Sequence, residues 1–116
     1  MKKTKMLKKN YEFRRVLSKG TYFSGIYIQS VVLKNKKSYN SLGLAISTKL
    51  GKAVKRNRIK RLLRENYKIL EENIKDGYDI VFLVKKKVNI DELDFKNINQ
   101  DMKKILKKAE VIMNLE

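Results

Sequence analysis

The sequence predicts an α+β protein, an α-β sandwich in which helices pack against one β-sheet. Segments rich in β-branched and aromatic residues, TYFSGIYIQSVVLKN and YDIVFLV, are typical of strands, while other segments repeat apolar residues at helical spacing. The elements follow the order α-β-β-α-β-α, or the same order with a third strand before the second helix. Proline is absent and the five glycines are scattered, so we expect residues 1–116 to form a single domain.

The N-terminal part predicts a basic arm, a short helix and a strand. We expect the lysine-rich residues 1–8 to form a flexible arm. In NYEFRRVLSKG, Asn10 suits the helix N-cap, Gly20 suits its end, and one face carries Phe13, Val16 and Leu17. The strand that follows has Gly25 as a bulge or bend. Its two faces are expected to carry Ile26, Ile28 and Val32 on one side and Tyr27, Gln29 and Val31 on the other.

The rest of the chain predicts two more strands and two helices. The polar loop KNKKSYN leads to SLGLAIST, which we expect to pair with the preceding strand as an antiparallel hairpin. A long helix follows from Lys52 to about Ile74. The nearly continuous apolar run YDIVFLVKK predicts a strand covered on both faces. Asp94 is a good N-cap for a final helix, whose apolar stripe is Phe95, Ile98, Met102, Ile105, Leu106 and Ala109.

The composition points to a polyanionic partner. The chain has 29 Lys and Arg against 12 Asp and Glu, a formal charge of +17. Nucleic acid is the favoured partner for such a charge, with an acidic membrane surface as the alternative. Cys and His are absent, which excludes disulfides, thiolate metal sites and histidine catalysis. The longest apolar run, residues 80–84, is too short to cross a bilayer, so we expect a soluble cytoplasmic protein.

The stretch KAVKRNRIKRLLRENY predicts a helix with one basic and one apolar side. At 100° per residue, one side carries Arg56, Asn57, Lys60, Arg61, Arg64 and Lys68, and the other carries Ile59, Leu62, Leu63, Ile69 and Leu70. Arg58 lies at the border. From Lys49 to Arg64 there are eight basic residues and no acid. A solvated face on a core-packing helix would be the plainer interpretation, but four of the eight are Arg, which favours phosphate binding.

Two further groups of residues in the sequence are candidate sites. Aromatic residues lie among basic residues near the N-terminus and could stack on unpaired bases, although Phe13 and its neighbours could equally be core. The acids of DELD, with Asp76 and Asp79, form the only acidic cluster that could serve a metal nuclease. Asp94 is already explained as a cap, so metal catalysis by these carboxylates is the weaker interpretation.

The motif GKAVKRNRIKRLLRE closely resembles the signature of the bacterial ribonuclease P protein family. The Arg56-Asn57-Arg58 triplet follows Ala53-Val54 and precedes Lys60-Arg61, as it does in that family. LKKNYEFRRVLSKGT and SLGLAISTKLGKAV are similar to the family's opening helix and to the strand before its signature. The resemblance extends in order and spacing over nearly the whole chain.

The resemblance implies an α-β sandwich with a left-handed βαβ crossover. It also implies a protein that is not itself catalytic, so no catalytic residue and no protein metal site are expected. In this family the RNA subunit holds the Mg²⁺ ions and cleaves the 5′ leader from precursor tRNA. The implied partners are this catalytic RNA and the precursor tRNA, with no membrane and no protein partner required.

The resemblance assigns residues to two RNA-binding surfaces. With the basic pattern around it, the signature helix gives the RNA-facing positions Lys49, Lys52, Arg56, Asn57, Arg58, Lys60, Arg61, Arg64 and Lys68. The leader cleft corresponds to Phe13, Leu17, Tyr27, Gln29 and Val31. Leu17 stands where relatives often carry Phe, and Val31 where some carry an aromatic residue. The alternative is a general RNA-binding or ribosomal-type protein without a role in processing.

Overall fold

The computed structural model describes residues 4–112, which form a five-stranded sheet with three α-helices. The elements are β1 (Thr4–Met6), α1 (Asn10–Lys19), β2 (Thr21–Ser24), β3 (Ile28–Lys34), β4 (Asn40–Ala45), α2 (Ala53–Leu70), β5 (Tyr78–Val84) and α3 (Phe95–Lys108). Short 3-10 turns precede α2, follow α2 and precede α3. The predicted α+β class is confirmed, and so is the order from α1 onward in the form with three strands before α2.

The N-terminal segment differs from the predicted flexible arm. Thr4–Met6 form a strand that pairs in parallel with β4, and Leu7 is buried. The prediction is therefore wrong from Thr4 onward, while residues 1–3 lie outside the described residues. A strand of three residues is too short to show a sequence pattern of its own. It is stabilised by pairing with residues about 36 positions away in the chain, which local sequence does not reveal.

The strand order of the sheet, β1-β4-β5-β3-β2, overturns the predicted hairpin. β3 and β4 do not pair, because β5 lies between them, antiparallel to β3 and parallel to β4. β5 takes this central place because Ile80, Val81 and Phe82 are fully buried and need cover on both faces. The hairpin that does form joins β2 and β3 across the bend predicted at Gly25.

The parallel strands β4 and β5 are joined through α2, and this crossover is left-handed. The side chain of Leu42 in β4 enters the core beneath α2, while its carbonyl accepts the N–H of Leu7 beside β1, at 2.8 Å. For an L-residue in a strand that runs upward with its side chain toward the viewer, the carbonyl points right. β1 therefore lies to the right of β4 and β5 to its left. In this view α2 lies on the near side of the sheet and leads to the strand on the left. A crossover of this kind is left-handed, the rare form, as the family resemblance implied.

The sheet has a thickly covered face and a partly covered face. α2 and α3 pack on the first face, where the main core includes Leu42, Ile80 and Phe82. α1 packs on the second face and forms a smaller cluster of Leu7, Val16, Val31 and Val81. Ile26, predicted to share the side of Ile28, is instead 66% exposed in the turn, and Ile69 of α2 is 58% exposed. The second face is the one that α1 leaves partly open.

The ends of the helices mostly follow the predictions. Asp94 caps α3, since its carboxylate accepts the N–H of Asn97 at 2.8 Å. α1 begins at Asn10, but the N-cap position belongs to Lys9 rather than to Asn10. Glu12 accepts the backbone N–H groups of Lys9 and Lys8, which lower the pKa of its carboxyl. α2 ends at Leu70, short of the predicted Ile74.

Candidate nucleic-acid interface

The helix α2 has one buried side and one basic side, as its periodicity predicts. Ile59, Leu63 and Tyr67 are fully buried on the side that packs against the sheet. Arg56, Arg58 and Lys60 are half-buried. The remaining predicted RNA-facing side chains are exposed: Lys49, Lys52, Asn57, Arg61, Arg64 and Lys68. We call all nine residues the basic face of α2.

Two arginines of the basic face also make bonds within the protein. The Arg56 guanidinium donates to the carbonyl of Gly51 at 2.6 Å, and the Arg58 guanidinium donates to the carbonyl of Leu93 at 3.0 Å. Arg58 thereby ties α2 to the segment that leads into α3. Since a guanidinium has five N–H donors, each of these side chains keeps donors for a ligand.

The positive charge of this face is barely compensated. Among residues 4–112, the salt bridges are Lys55 with Asp91 at 3.9 Å and Arg61 with Glu65 at 3.8 Å, and all four side chains are exposed. Exposed pairs at such distances contribute little and leave most of the positive potential in place. In addition, no side chain caps the N-terminus of α2 and no acid lies in its first turn. The face is therefore suited to a polyanion.

The predicted cleft residues do not all lie in one place. Phe13 is half-buried and packs closely on Gly43 in β4, and Leu17 is half-buried beside the cluster beneath α1. Val31 is fully buried in that cluster, so it supports the cleft from below and does not line it. Tyr27 is half-buried just before β3 and packs against the main core.

An open groove of about 760 Å³ lies on the α1 side of the sheet. Gln29 lines it, together with Ala45 and Leu83 at the ends of β4 and β5. Lys49 from the turn before α2 reaches the same groove, and so do three consecutive lysines, Lys85, Lys86 and Lys87. The lysine run is not among the site residues predicted from the sequence, although three lysines directly after a buried strand are a recognisable pattern. The groove thus combines an apolar floor with a basic rim.

The acids that the sequence suggested for a metal site are dispersed in the described part of the chain. Among residues 4–112, there is no group of three or more Asp and Glu side chains placed to hold a metal ion. Asp94 is a helix cap, Asp91 is exposed, and Asp101 is buried by backbone donors of the turn between β2 and β3. Sequence reasoning missed Asp101, because its partners lie more than 70 residues away.

Residues 4–112 contain no helix with the length and apolarity needed to cross a membrane.

Fold and surfaces together define a class of protein: an α+β nucleic-acid-binding protein with a basic helix on one side and a basic-rimmed groove on the other. The family described as Ribonuclease P matches residues 1–110. The ribonuclease P protein component of Clostridioides difficile (strain 630) is 40% identical over 110 residues, which are 94% of this chain and 95% of that protein. That of Clostridium botulinum (strain Langeland) is 42% identical over 110 residues, 94% of this chain and 96% of that protein.

Solved structures agree with the sequence relatives. The RNase P protein of Staphylococcus aureus superposes with a TM-score of 0.82 at 31% identity, covering 92% of this chain and 96% of that one. The RNase P protein of Thermotoga maritima gives a TM-score of 0.81 at 28% identity, covering 90% and 96%. The chain belongs to the ribonuclease P protein family. It is an RNA-binding subunit of ribonuclease P, the endoribonuclease that matures the 5′ end of tRNA.

Proposed function

We propose that the chain uses its two surfaces for two RNA ligands, the ribonuclease P RNA on the basic face of α2 and the 5′ leader of precursor tRNA in the groove beside α1. This division rests on the positions of the two surfaces on opposite faces of the sheet. α2 packs on one face of the sheet, whereas Phe13, Gln29 and the groove belong to the other. Lys49, in the turn before α2, also lines the groove, but the residues of α2 itself do not, so an RNA strand bound along the helix would have to pass around the sheet to enter the groove.

The basic face of α2 suits a folded RNA. Seven of its nine residues lie on α2 itself, and four of the nine are arginines. A guanidinium binds phosphate through paired N–H donors, and a row of such groups matches the regular phosphates of an RNA helix. Arg61 and Arg64 are exposed and do not brace another part of the fold as Arg58 does, so we assign them the main phosphate contacts.

The groove suits a single strand. Its apolar floor of Ala45 and Leu83 can contact sugars and bases, while Lys49 and Lys85 can contact phosphates at its rim. Phe13 and Leu17 of α1 pack against the same cluster of side chains as Ala45 and Leu83. This division gives the leader no aromatic stacking from Leu17 or Val31, so we expect phosphate contacts to supply most of its binding energy.

We propose that Mg²⁺ is held mainly by the RNA subunit. The described part of the chain offers no set of three carboxylates that could hold the ion alone, and the excess of lysine and arginine would repel it. Mg²⁺ bound to the RNA would supply the activated water for cleavage. The protein's role would be to bind and position the two RNAs.

Reconstitution with ribonuclease P RNA at low Mg²⁺ tests the proposal. The wild-type protein should stimulate cleavage of precursor tRNA, and the variant Arg61→Gln/Arg64→Gln should bind the RNA at least tenfold more weakly at about 0.1 M salt. The matched control is Lys103→Gln/Lys104→Gln, which removes two exposed charges from α3 instead. Equal losses in both variants would show that the basic face of α2 has no special role.

The leader site needs its own measurement. Gln29→Ala and Phe13→Leu should lower the affinity of the holoenzyme for precursor tRNA by about threefold to tenfold, with the affinity for mature tRNA unchanged. Phe13→Leu keeps an apolar side chain against Gly43, so the fold should survive. If both tRNAs lose affinity equally, the groove does not bind the leader.

A further inference from the structure

A third basic surface lies where β1 meets the loop between β3 and β4. The ammonium group of Lys5 is 4.4 Å from the ring centroid of Tyr39, and that of Lys37 is 5.5 Å from the same centroid. Both lysines are exposed and Tyr39 is half-buried. None of these residues belongs to the basic face of α2 or to the groove.

The loop that carries Lys37 and Tyr39 is held in one conformation by Asn35. This buried side chain accepts the N–H of Lys37 at 2.8 Å, donates to the carbonyl of Tyr39 at 3.2 Å, and donates to the Asp79 carboxylate at 2.9 Å. Lys36, at the tip, has a φ of 58°, which residues other than glycine rarely adopt. Asn35 therefore keeps Lys37 and Tyr39 in fixed backbone positions at the surface.

The charges of this surface are not balanced within the described part of the chain. The ammonium groups of Lys5 and Lys37 both lie over the Tyr39 ring, and its weakly negative π-system compensates only part of two positive charges. Neither lysine has a salt bridge there. Glu12 is the acid that Lys37 influences, but the backbone N–H groups of Lys9 and Lys8 already bind its carboxylate. A phosphate contacted by both of these exposed lysine side chains would compensate the remaining charge.

We propose that Lys5, Lys37 and Tyr39 form a clamp for a backbone phosphate of the ribonuclease P RNA, with the Tyr39 ring against the adjoining sugar. The inference rests on the proposed function, because it requires that the chain binds this RNA. We call these three residues the Tyr39 clamp.

The position of the clamp favours the ribonuclease P RNA over the leader. β4 begins at Asn40, next to Tyr39, and ends at Ala45 in the groove, so clamp and groove lie at opposite ends of a strand about 20 Å long. β1 is an edge strand, and its Thr4 is bonded to Tyr67 in the second half of α2. An RNA bound near Lys68 therefore has only this short edge to pass before it reaches the clamp.

The test compares two double variants that lose the same charge. Lys5→Gln/Lys37→Gln removes both clamp charges, and Lys36→Gln/Lys103→Gln removes one exposed charge from the same loop and one from α3. Affinity for ribonuclease P RNA is measured over a salt series. We expect the clamp variant to bind about tenfold more weakly at ~0.1 M salt, with a salt slope smaller by about 1, and the control to stay within about twofold.

Each outcome decides the proposal. Equal affinities of the two double variants would overturn it, provided that Arg61→Gln/Arg64→Gln weakens binding in the same assay; if that variant also binds normally, the proposed function fails first. Normal RNA affinity with a selective loss of precursor tRNA affinity would overturn the assigned source of the phosphate. If thermal unfolding shows that the clamp variant is misfolded, the single variant Lys37→Gln is measured instead, because it leaves β1 unchanged. A loss of about threefold in affinity for ribonuclease P RNA supports the clamp, and an unchanged affinity overturns it.

Discussion

The carboxylate of Asp101 in α3 accepts the backbone N–H of Tyr27 at 2.6 Å, across 74 residues of chain. The same carboxylate accepts the N–H groups of Ile26 at 2.8 Å and Ile28 at 2.9 Å. A Cβ at Gly25 would lie 2.6 Å from this carboxyl group, so only glycine allows the close approach. α3 therefore fixes the turn between β2 and β3, and with it the start of the strand that carries Gln29.

Replacement of Asp101 by Asn should destabilise the protein by about 2–3 kcal/mol, because a charged acceptor is lost and a buried donor is left without a partner. Chemical denaturation measures this change in the free energy of unfolding. Asp91→Asn is the control, since Asp91 is exposed and its contact with Lys55 is 3.9 Å long, and we expect a change below about 0.5 kcal/mol. Similar losses in the two variants would contradict the anchoring role of Asp101.

Gly43→Ala should destabilise the protein through Phe13. The added methyl group would lie 2.7 Å from Cε1 of Phe13, so the ring or the helix must move, at a cost of about 1–3 kcal/mol. In the Phe13→Leu background the methyl group meets a smaller side chain, and the double variant should lose less stability than the sum of the two single variants. Additive losses in a double-mutant cycle would show that the two residues are not coupled.

Arg58 should matter for stability, in contrast to Arg64 on the same helix. Arg58→Ala removes the hydrogen bond to the carbonyl of Leu93 and should cost about 1 kcal/mol in the free energy of unfolding. Arg64→Ala changes an exposed side chain and should cost less than about 0.5 kcal/mol. Urea denaturation of the free protein measures both, and the prediction fails if Arg64→Ala is the more harmful change.

Tyr67 should make the fold sensitive to alkaline pH. Burial raises the pKa of its phenol to about 12, and its hydroxyl group is hydrogen-bonded to Thr4 at 2.9 Å. In the unfolded chain the phenol ionises near pH 10, so between about pH 10 and 12 the folded state binds more protons than the unfolded state. Stability should therefore fall as pH rises through this window, by at most about 1.4 kcal/mol per pH unit from this group.

Tyr67→Phe isolates that effect from the titration of the lysines. The variant should lose about 1 kcal/mol at neutral pH with its hydrogen bond, but it should show a shallower decrease of stability between about pH 10 and 12 than the wild type. Urea denaturation at several pH values compares the two slopes. Parallel curves would mean that the phenol ionises equally in both states.

Much of the fold was predictable because it is encoded locally. The helical period of α2 correctly predicted that Ile59 and Leu63 are buried, and Asp94 correctly predicted the start of α3 as its N-cap. The continuous apolar run of β5 predicted a strand buried on both faces. Strand pairing was not predictable in this way, because the loop between β3 and β4 looks the same whether the strands meet or are separated by β5.

The exposure of the basic side chains on α2 was predictable from the sequence, and the packing of the residues proposed for the cleft was less so. Arg61 and Arg64 are exposed where the helical period puts them. Val31, in contrast, alternates correctly with its neighbours, yet it is buried because α1 happens to cover that part of the sheet. Asp101 and Tyr39 gave no signal, since the partners that define them are distant in the chain.

The sequence by itself determined the helices, most strands, the excess of positive charge and the family signature at Arg56-Asn57-Arg58. These features depend on neighbours within a few positions, which share one helix face or one side of a strand. Only the tertiary structure decided the central place of β5, the parallel pairing of β1, and the positions of the lysines at the groove and beside Tyr39. Those depend on competition among distant apolar segments for cover, which no local pattern records.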